Sequence, residues 1–199
     1  MVVVYSDYVC PFCWLAWPAV QAVQSEGAAI ELAAFELRPS PVPLPRSLTA
    51  AQQAAWDAVI VPHARSLGLA PRAPTQFPRT RKAHEAVRYA RASGLERELH
   101  DALFRAYFEE GRDIGRIDVL VEIGGGVGLD PTGLKVELDI DQFTEVVRAQ
   151  EQEAARAGVT AVPAYVADGG VSRLHMGLLS AAELRDWLAQ AGGKTGGPT

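Results

Sequence analysis

The apolar positions change period twice along the chain. Residues 2–6, V-V-V-Y-S, form an unbroken β-branched and aromatic run, which predicts a short buried strand. From residue 11 the spacing becomes helical. Trp14, Ala16, Val20 and Val23 lead to Gly27, with Pro11 at a first-turn position that tolerates proline. Pro18 falls inside this helix and predicts a kink. Residues 29–37, A-I-E-L-A-A-F-E-L, alternate and then cluster, as a core strand does. The next stretch, R-P-S-P-V-P-L-P at 38–45, is proline-rich and predicts a stiff, extended exit. Roughly 47–154 is rich in Ala, Leu, Arg and Glu. Its helical spacings (Ala83, Ala86, Val87, Ala90; Leu99, Ala102, Leu103, Ala106, Tyr107; Phe143, Val146, Val147) predict four to six helices. Gly68, Gly94, Gly111 and the 124–128 cluster mark their ends or turns. The last third returns to strands at 158–168 and 171–176, with Gly169-Gly170 as a hairpin turn and a helix at about 180–191. Residues 192–199, G-G-K-T-G-G-P-T, predict a disordered tail. Without the helical block the order is β-α-β-β-β-α, which suits a mixed sheet with helices on both faces.

The totals narrow the function. A chain of 199 residues buries enough surface to fold without a staple. A net charge of −5 argues against nucleic acid as partner. No apolar run reaches membrane-spanning length, and M-V-V-V-Y-S-D lacks the basic region and cleavage site of a signal peptide. The expectation is a cytoplasmic protein, where a pair of cysteines is catalytic or metal-binding more often than structural.

Both cysteines lie in Y-V-C-P-F-C-W, as Cys10 and Cys13. At a helix start the Cys10 sulfur meets unpaired backbone N–H groups and the positive end of the helix dipole, which favour thiolate. Cys13, one turn on, shares that face and lies deeper. An exposed, ionisable attacker beside a shielded resolver suits thiol–disulfide exchange. A zinc site needs two further ligands. The chain has no third cysteine, and His63, His84, His100 and His175 are scattered, so no metal is expected. Pro163 interrupts the strand-like A-V-P-A-Y-V. A trans proline at a sheet edge and a cis Val162–Pro163 bond aimed at an active site both account for it.

The segments D-Y-V-C-P-F-C-W, F-E-L-R-P (35–39), K-A-H-E-A (82–86), L-F-R-A-Y-F-E-E-G-R-D-I (103–114) and G-V-T-A-V-P-A-Y-V (158–166) together resemble the DsbA-type branch of the thioredoxin superfamily, and within it the FrnE-like disulfide oxidoreductases and isomerases. The resemblance implies an α/β thioredoxin fold, residues 1–45 plus 155–191, with an all-helical insertion at 46–154 between the second and third strands. It implies Cys10 as nucleophile, Cys13 as resolving thiol, and a cis Val162–Pro163 that holds substrate backbone. Phe12 fills the dipeptide position that tunes potential, where it brings neither the His of DsbA nor an indole donor. It is a substrate contact, as is His84 if the K-A-H-E-A segment lines the cleft rather than a polar helix face.

Asp7 is read as a helix cap or a proton acceptor for a thiol. R-T-R-K at 79–82 is read as a solvated face or an attractor of an acidic substrate such as glutathione, and G-G-G-V-G at 124–128 as structural. The expected activity is exchange with protein or small-molecule thiols and disulfides. It needs no cofactor beyond the Cys10–Cys13 pair, with glutathione as a candidate co-substrate. The rival reading is a glutathione-dependent isomerase or transferase of the kappa or hydroxychromene-carboxylate isomerase type. A thiol-dependent binding module is the non-enzymatic alternative. Redox direction and oligomeric state are left open.

Overall fold

The computed structural model describes residues 1–167 and 173–192. Four strands form one mixed sheet in the order β2-β1-β3-β4: β1 Val2–Ser6, β2 Ile30–Ala34, β3 Ala164–Ala167 and β4 Arg173–Met176. β1 runs parallel to β2 and antiparallel to β3, which pairs antiparallel with β4. β1 is therefore central, and its V-V-V-Y-S run is buried almost throughout, as a strand covered on both faces requires. The parallel β1–β2 pair needs a crossover. Helix α1, Pro11–Ser25, supplies it and runs through Pro18 without interruption.

The helical block follows β2. A continuous rod comprises α2 Ala50–Ala55, a π-helical turn Trp56–Ile60 and α3 Val61–Ser66. Then come α4 Arg81–Arg91, α5 Glu96–Phe108, α6 Ile117–Gly126, α7 Pro131–Asp139 and α8 Thr144–Arg156. Counting the rod once gives six helices, within the expected range. Thr49 starts the rod with a capping box to Gln52. Helix α9, Ala181–Gly192, packs against α1. None of the described helices is long and apolar enough to cross a membrane.

Two features tie the block to the sheet. β2 is an edge strand with free ladder groups, and α8 covers it. Gln150 Oε1 accepts from the Ala34 N–H, and Glu151 Oε1 from the Glu36 N–H. Arg81 on α4 then pairs with Glu36, whose side chain is 1% exposed, and reaches Glu151. Arg81 is thus held in the structure and Lys82 is bound to Glu85 and Asp141. Among the described residues, Arg79 is the one cation of the R-T-R-K run without a carboxylate partner; it donates to the Arg38 carbonyl. This corrects the reading of that run as a solvated face.

The strand expected over 158–168 is shorter. Gly158, at φ 80°, and Val159 close the end of α8 through Gly158 N–H to Ala155 and Val159 N–H to Ala154. Pro163 then precedes β3 rather than interrupting it, and its carbonyl accepts from the Gly177 N–H at 2.8 Å. The Gly169-Gly170 turn and residues 193–199 of the tail lie outside the described residues.

Candidate functional site

The central strand β1 ends at Ser6, and four residues later the chain enters α1. Cys10 occupies the N-cap, with extended backbone (φ −90°, ψ 112°), and Pro11 is the first helical residue. The Cys10 carbonyl accepts from the N–H groups of Cys13 and Trp14, closing the first turn. Strand register brings the other half of the site. Tyr5 is paired with Ala164, so Val162 and Pro163 extend past the end of β1, beside the residues that lead into α1. The Val162–Pro163 bond is cis. The Cys10 thiol donates to the Val162 carbonyl at 3.4 Å.

Both thiols are free and both are buried: Cys10 is 4% exposed and Cys13 2%. The expectation of an exposed sulfur beside a shielded one therefore needs correction. Electrostatics distinguishes the two. The Cys10 thiol ionises below the ordinary thiol range, chiefly because Cys13 hydrogen-bonds to its sulfur. Burial opposes this, the Cys13 and Phe12 backbone N–H groups add to it, and the Asp7 charge works against it. The Cys13 thiol is pushed far up, first by burial, then by its hydrogen bond to Cys10, the Cys10 charge and the Asp7 charge. Only the Asp7 backbone N–H draws it down.

Asp7 does not cap α1, whose N-cap has no side-chain hydrogen bond. Its carboxylate is fully buried and turned toward the loop after β2, where Oδ2 accepts from the Leu37 N–H at 2.7 Å. Its Oδ1 has no hydrogen-bond partner and faces the equally unpartnered His84 Nε2 at 3.7 Å. His84 is 4% exposed and packs on the Tyr8 ring, centroids 4.8 Å apart. It lies on the face of α4 that carries the buried Ala83, Ala86, Val87 and Ala90, so helical periodicity turns it inward. This corrects its assignment as a substrate contact.

Beyond Asp7 the polar chain continues. The Tyr8 hydroxyl and His100 Nδ1 are 2.8 Å apart, and burial lowers the His100 pKa to about 3, with the His84 charge adding to the effect. The His100 imidazole is thus neutral at ordinary pH and shares a hydrogen bond with the Tyr8 hydroxyl. No group of three or more His, Cys, Asp or Glu side chains among the described residues could hold a metal ion.

Phe12 stands 42% exposed at the rim of a cavity of about 300 Å³. The cavity opens between the start of α1, the proline-rich segment and the π-helical turn, with Val9, Pro11, Trp56 and Tyr107 among its walls. The sequence reading missed it. Its signal was the Trp56, Val59, Ile60 cluster in a stretch with no obvious partner.

Comparison with known proteins agrees with this geometry. The chain is 35% identical over 168 residues to the uncharacterized protein YwbO of Bacillus subtilis, covering 82% of this chain and 84% of that one. The probable DsbA oxidoreductase SCO1869 of Streptomyces coelicolor superposes with a TM-score of 0.82 at 25% identity, over 100% of this chain and 92% of that one. The same fold occurs in the glutathione-bound cytosolic disulfide reductase DsbM of Pseudomonas aeruginosa (TM-score 0.70, 19% identity, 95% of this chain and 97% of that one). It also occurs in a 2-hydroxychromene-2-carboxylate isomerase (TM-score 0.75, 18% identity, 96% and 94%). Residues 1–189 match the DSBA-like thioredoxin domain. A helix-capping cysteine beside a proline that leads into β3 is thus carried by a chain that belongs to the DSBA-like thioredoxin domain family.

Proposed function

We propose that the protein is a thiol–disulfide oxidoreductase, with disulfide isomerisation within its reach, that works through Cys10 and Cys13. The observation that carries this reading is the placement of two free thiols one helical turn apart at the start of α1, with Cys10 against the Val162 carbonyl; their opposed ionisation fits it. The Cys10 thiolate attacks one sulfur of a substrate disulfide. A Cys10–substrate disulfide forms, and the other substrate sulfur leaves as a thiolate. Cys13 then loses its proton, attacks the Cys10 sulfur and expels the second substrate thiolate. The substrate disulfide gains two electrons and the enzyme dithiol loses two; run backward, the same steps oxidise a dithiol. The buried Asp7 carboxylate, whose charge acts on both sulfurs, is the acceptor for the Cys13 proton, and His84 faces its free oxygen. Val162 and Pro163 hold substrate backbone. When Cys10 ionises it no longer donates to the Val162 carbonyl, which is then free to accept a substrate N–H.

The chemistry requires no metal or organic cofactor. Protein or small-molecule thiols and disulfides are its partners, with glutathione as co-substrate, and a cytosolic setting such as that of DsbM fits it. One observation favours the second reading, a glutathione-linked isomerase: the apolar cavity beside Phe12 is of a size that suits a small molecule. The two readings separate in one experiment. In lysate quenched with acid and run on non-reducing gels, Cys13→Ala should retain substrates as mixed disulfides on Cys10, and Cys10→Ala should not. Protein adducts support the oxidoreductase. An adduct of glutathione mass alone favours the isomerase. If neither variant forms an adduct and the double variant keeps full biological activity, a thiol-independent binding role replaces both.

A further inference from the structure

The cavity beside Phe12 has a built chemical character that the exchange reaction leaves unused. Its walls are apolar and include Phe12, Trp56 and Tyr107. Three large apolar side chains that line it, Phe12, Leu37 and Val59, are exposed to solvent, and apolar side chains clustered in this way mark sites of contact. One wall is the π-helical turn Trp56–Ile60, a distortion frequent at functional sites.

One cation interrupts this lining. Arg38 borders the cavity, and its charge is felt at the Tyr107 hydroxyl on the same wall. That hydroxyl is already committed as a donor to the Gln76 carbonyl. Among the described residues, half of the sixteen arginines of this acidic protein are held by carboxylates. Among the described residues, no carboxylate lies within ion-pair distance of Arg38, or of its neighbours Arg46 and Arg79. An apolar cavity with an uncommitted guanidinium at its edge complements a molecule with an apolar body and one anionic group. Val9, Pro11 and Phe12, which flank Cys10 in sequence, all line it, so a bound molecule lies beside the attacking residue.

We propose that this cavity is the specificity site for a small ring-bearing thiol or disulfide that carries a carboxylate, with its ring against Phe12 and Trp56 and its carboxylate on Arg38. This rests on the exchange reading for its chemistry. Cys10 attacks the ligand's disulfide, one ligand half leaves as thiolate, and Cys13 releases the other, so that the ligand is reduced and the dithiol oxidised. Binding itself does not depend on the thiols.

The test therefore has two arms. The first measures binding of naphthoate and of the uncharged naphthylmethanol to a Cys10→Ser variant by calorimetry. Naphthoate should bind more tightly. Arg38→Gln should weaken it roughly tenfold, as expected for loss of a hydrogen bond to a charged group. Ala55→Phe, which fills the cavity from an exposed wall position, should abolish binding of both. Equal affinity for the two probes, or naphthoate binding indifferent to Arg38→Gln, overturns the proposal. The second arm uses the reduced enzyme with dithiobis(nitrobenzoate), an aromatic disulfide with carboxylates, and with uncharged dithiodipyridine. Arg38→Gln should reduce the preference for the first over the second by a similar factor. An unchanged preference overturns the substrate assignment even if naphthoate binds. Failure of Cys10 to react with either disulfide sinks the exchange reading instead, while the binding arm still decides whether the site exists.

Discussion

Replacing Cys13 with alanine removes the hydrogen bond that does most to keep the Cys10 sulfur ionised. A hydrogen bond to a charged acceptor contributes about 1.5–3 kcal/mol. A thiol is a weak donor, so the lower figure applies. At about 1.4 kcal/mol per factor of ten, its loss moves the Cys10 ionisation equilibrium toward the thiol by about tenfold, so the Cys10 pKa rises. The Cys13 and Phe12 backbone N–H groups remain in the variant, so the rise should be partial. Cys13→Ser restores a donor at the same place and should return the pKa most of the way to wild type. Ultraviolet thiolate absorbance against pH gives the value directly. The rate of alkylation by iodoacetamide gives it independently: on the acidic side of the transition, Cys13→Ala should react about tenfold more slowly than wild type. An unchanged or lower Cys10 pKa in Cys13→Ala would refute the reasoning. So would a Cys13→Ser variant that behaves like the alanine variant, because the effect would then come from volume and not from the donor.

Three other outcomes are expected. Asp7→Asn should lower the Cys10 pKa, since the Asp7 charge opposes its ionisation, yet slow release of a Cys10–glutathione disulfide by about a hundredfold, the scale of a lost proton acceptor; stopped-flow release that is as fast as wild type counts against Asp7. The folded His100 pKa of about 3 lies below the ordinary value of 6.5, so between those values the unfolded chain binds the extra proton. Its contribution is therefore whole above the ordinary value and falls by about 1.4 kcal/mol per pH unit on acidification; urea midpoints from pH 7 to 5 should show this loss, and a His100→Phe variant should lack it. Arg81→Met strands the buried Glu36 carboxylate and should cost about 3 kcal/mol in a urea titration, most of which Glu36→Gln in the same chain should recover; equal stability of Arg81→Met and wild type would show that Glu36 has another partner.

Local features were legible in the sequence. The β1 run, the helix start at Pro11 and the cysteine spacing are each set within a few residues, and local pattern suffices to read them. The strand boundary at 158–168 failed for a local reason too: Gly158 and Val159 have strand-like chemistry but are used to cap α8. Asp7 and His84 failed for a different reason. Helical spacing already placed His84 among the alanines of the α4 core face. The group it meets there lies in the turn after β1, and only the tertiary fold brings the two within 3.7 Å. The cavity was hidden because its walls come from distant segments, the start of α1, the 37–48 stretch, the rod and the 74–78 loop.

The asymmetry of the thiols was legible in direction but not in origin. Exposure hardly separates them. Two of the leading causes that raise Cys13 come from Cys10 itself, as hydrogen-bond partner and as charge. The charge exists only while Cys10 is a thiolate, and the hydrogen bond weakens when its sulfur is neutral. Once Cys10 forms a mixed disulfide, its charge is gone and its sulfur no longer competes for the Cys13 proton. Burial and the Asp7 charge then remain to hold Cys13 protonated, and Asp7 is the base proposed to take its proton. On the proposed exchange reading, Cys13 is thereby kept protonated while Cys10 is charged, and becomes easier to ionise once Cys10 is in a mixed disulfide. The same coupling explains why the two steps can share one buried site. A second thiolate beside the first would place two like charges in a low-dielectric pocket, which the fold prevents by letting only one sulfur ionise at a time.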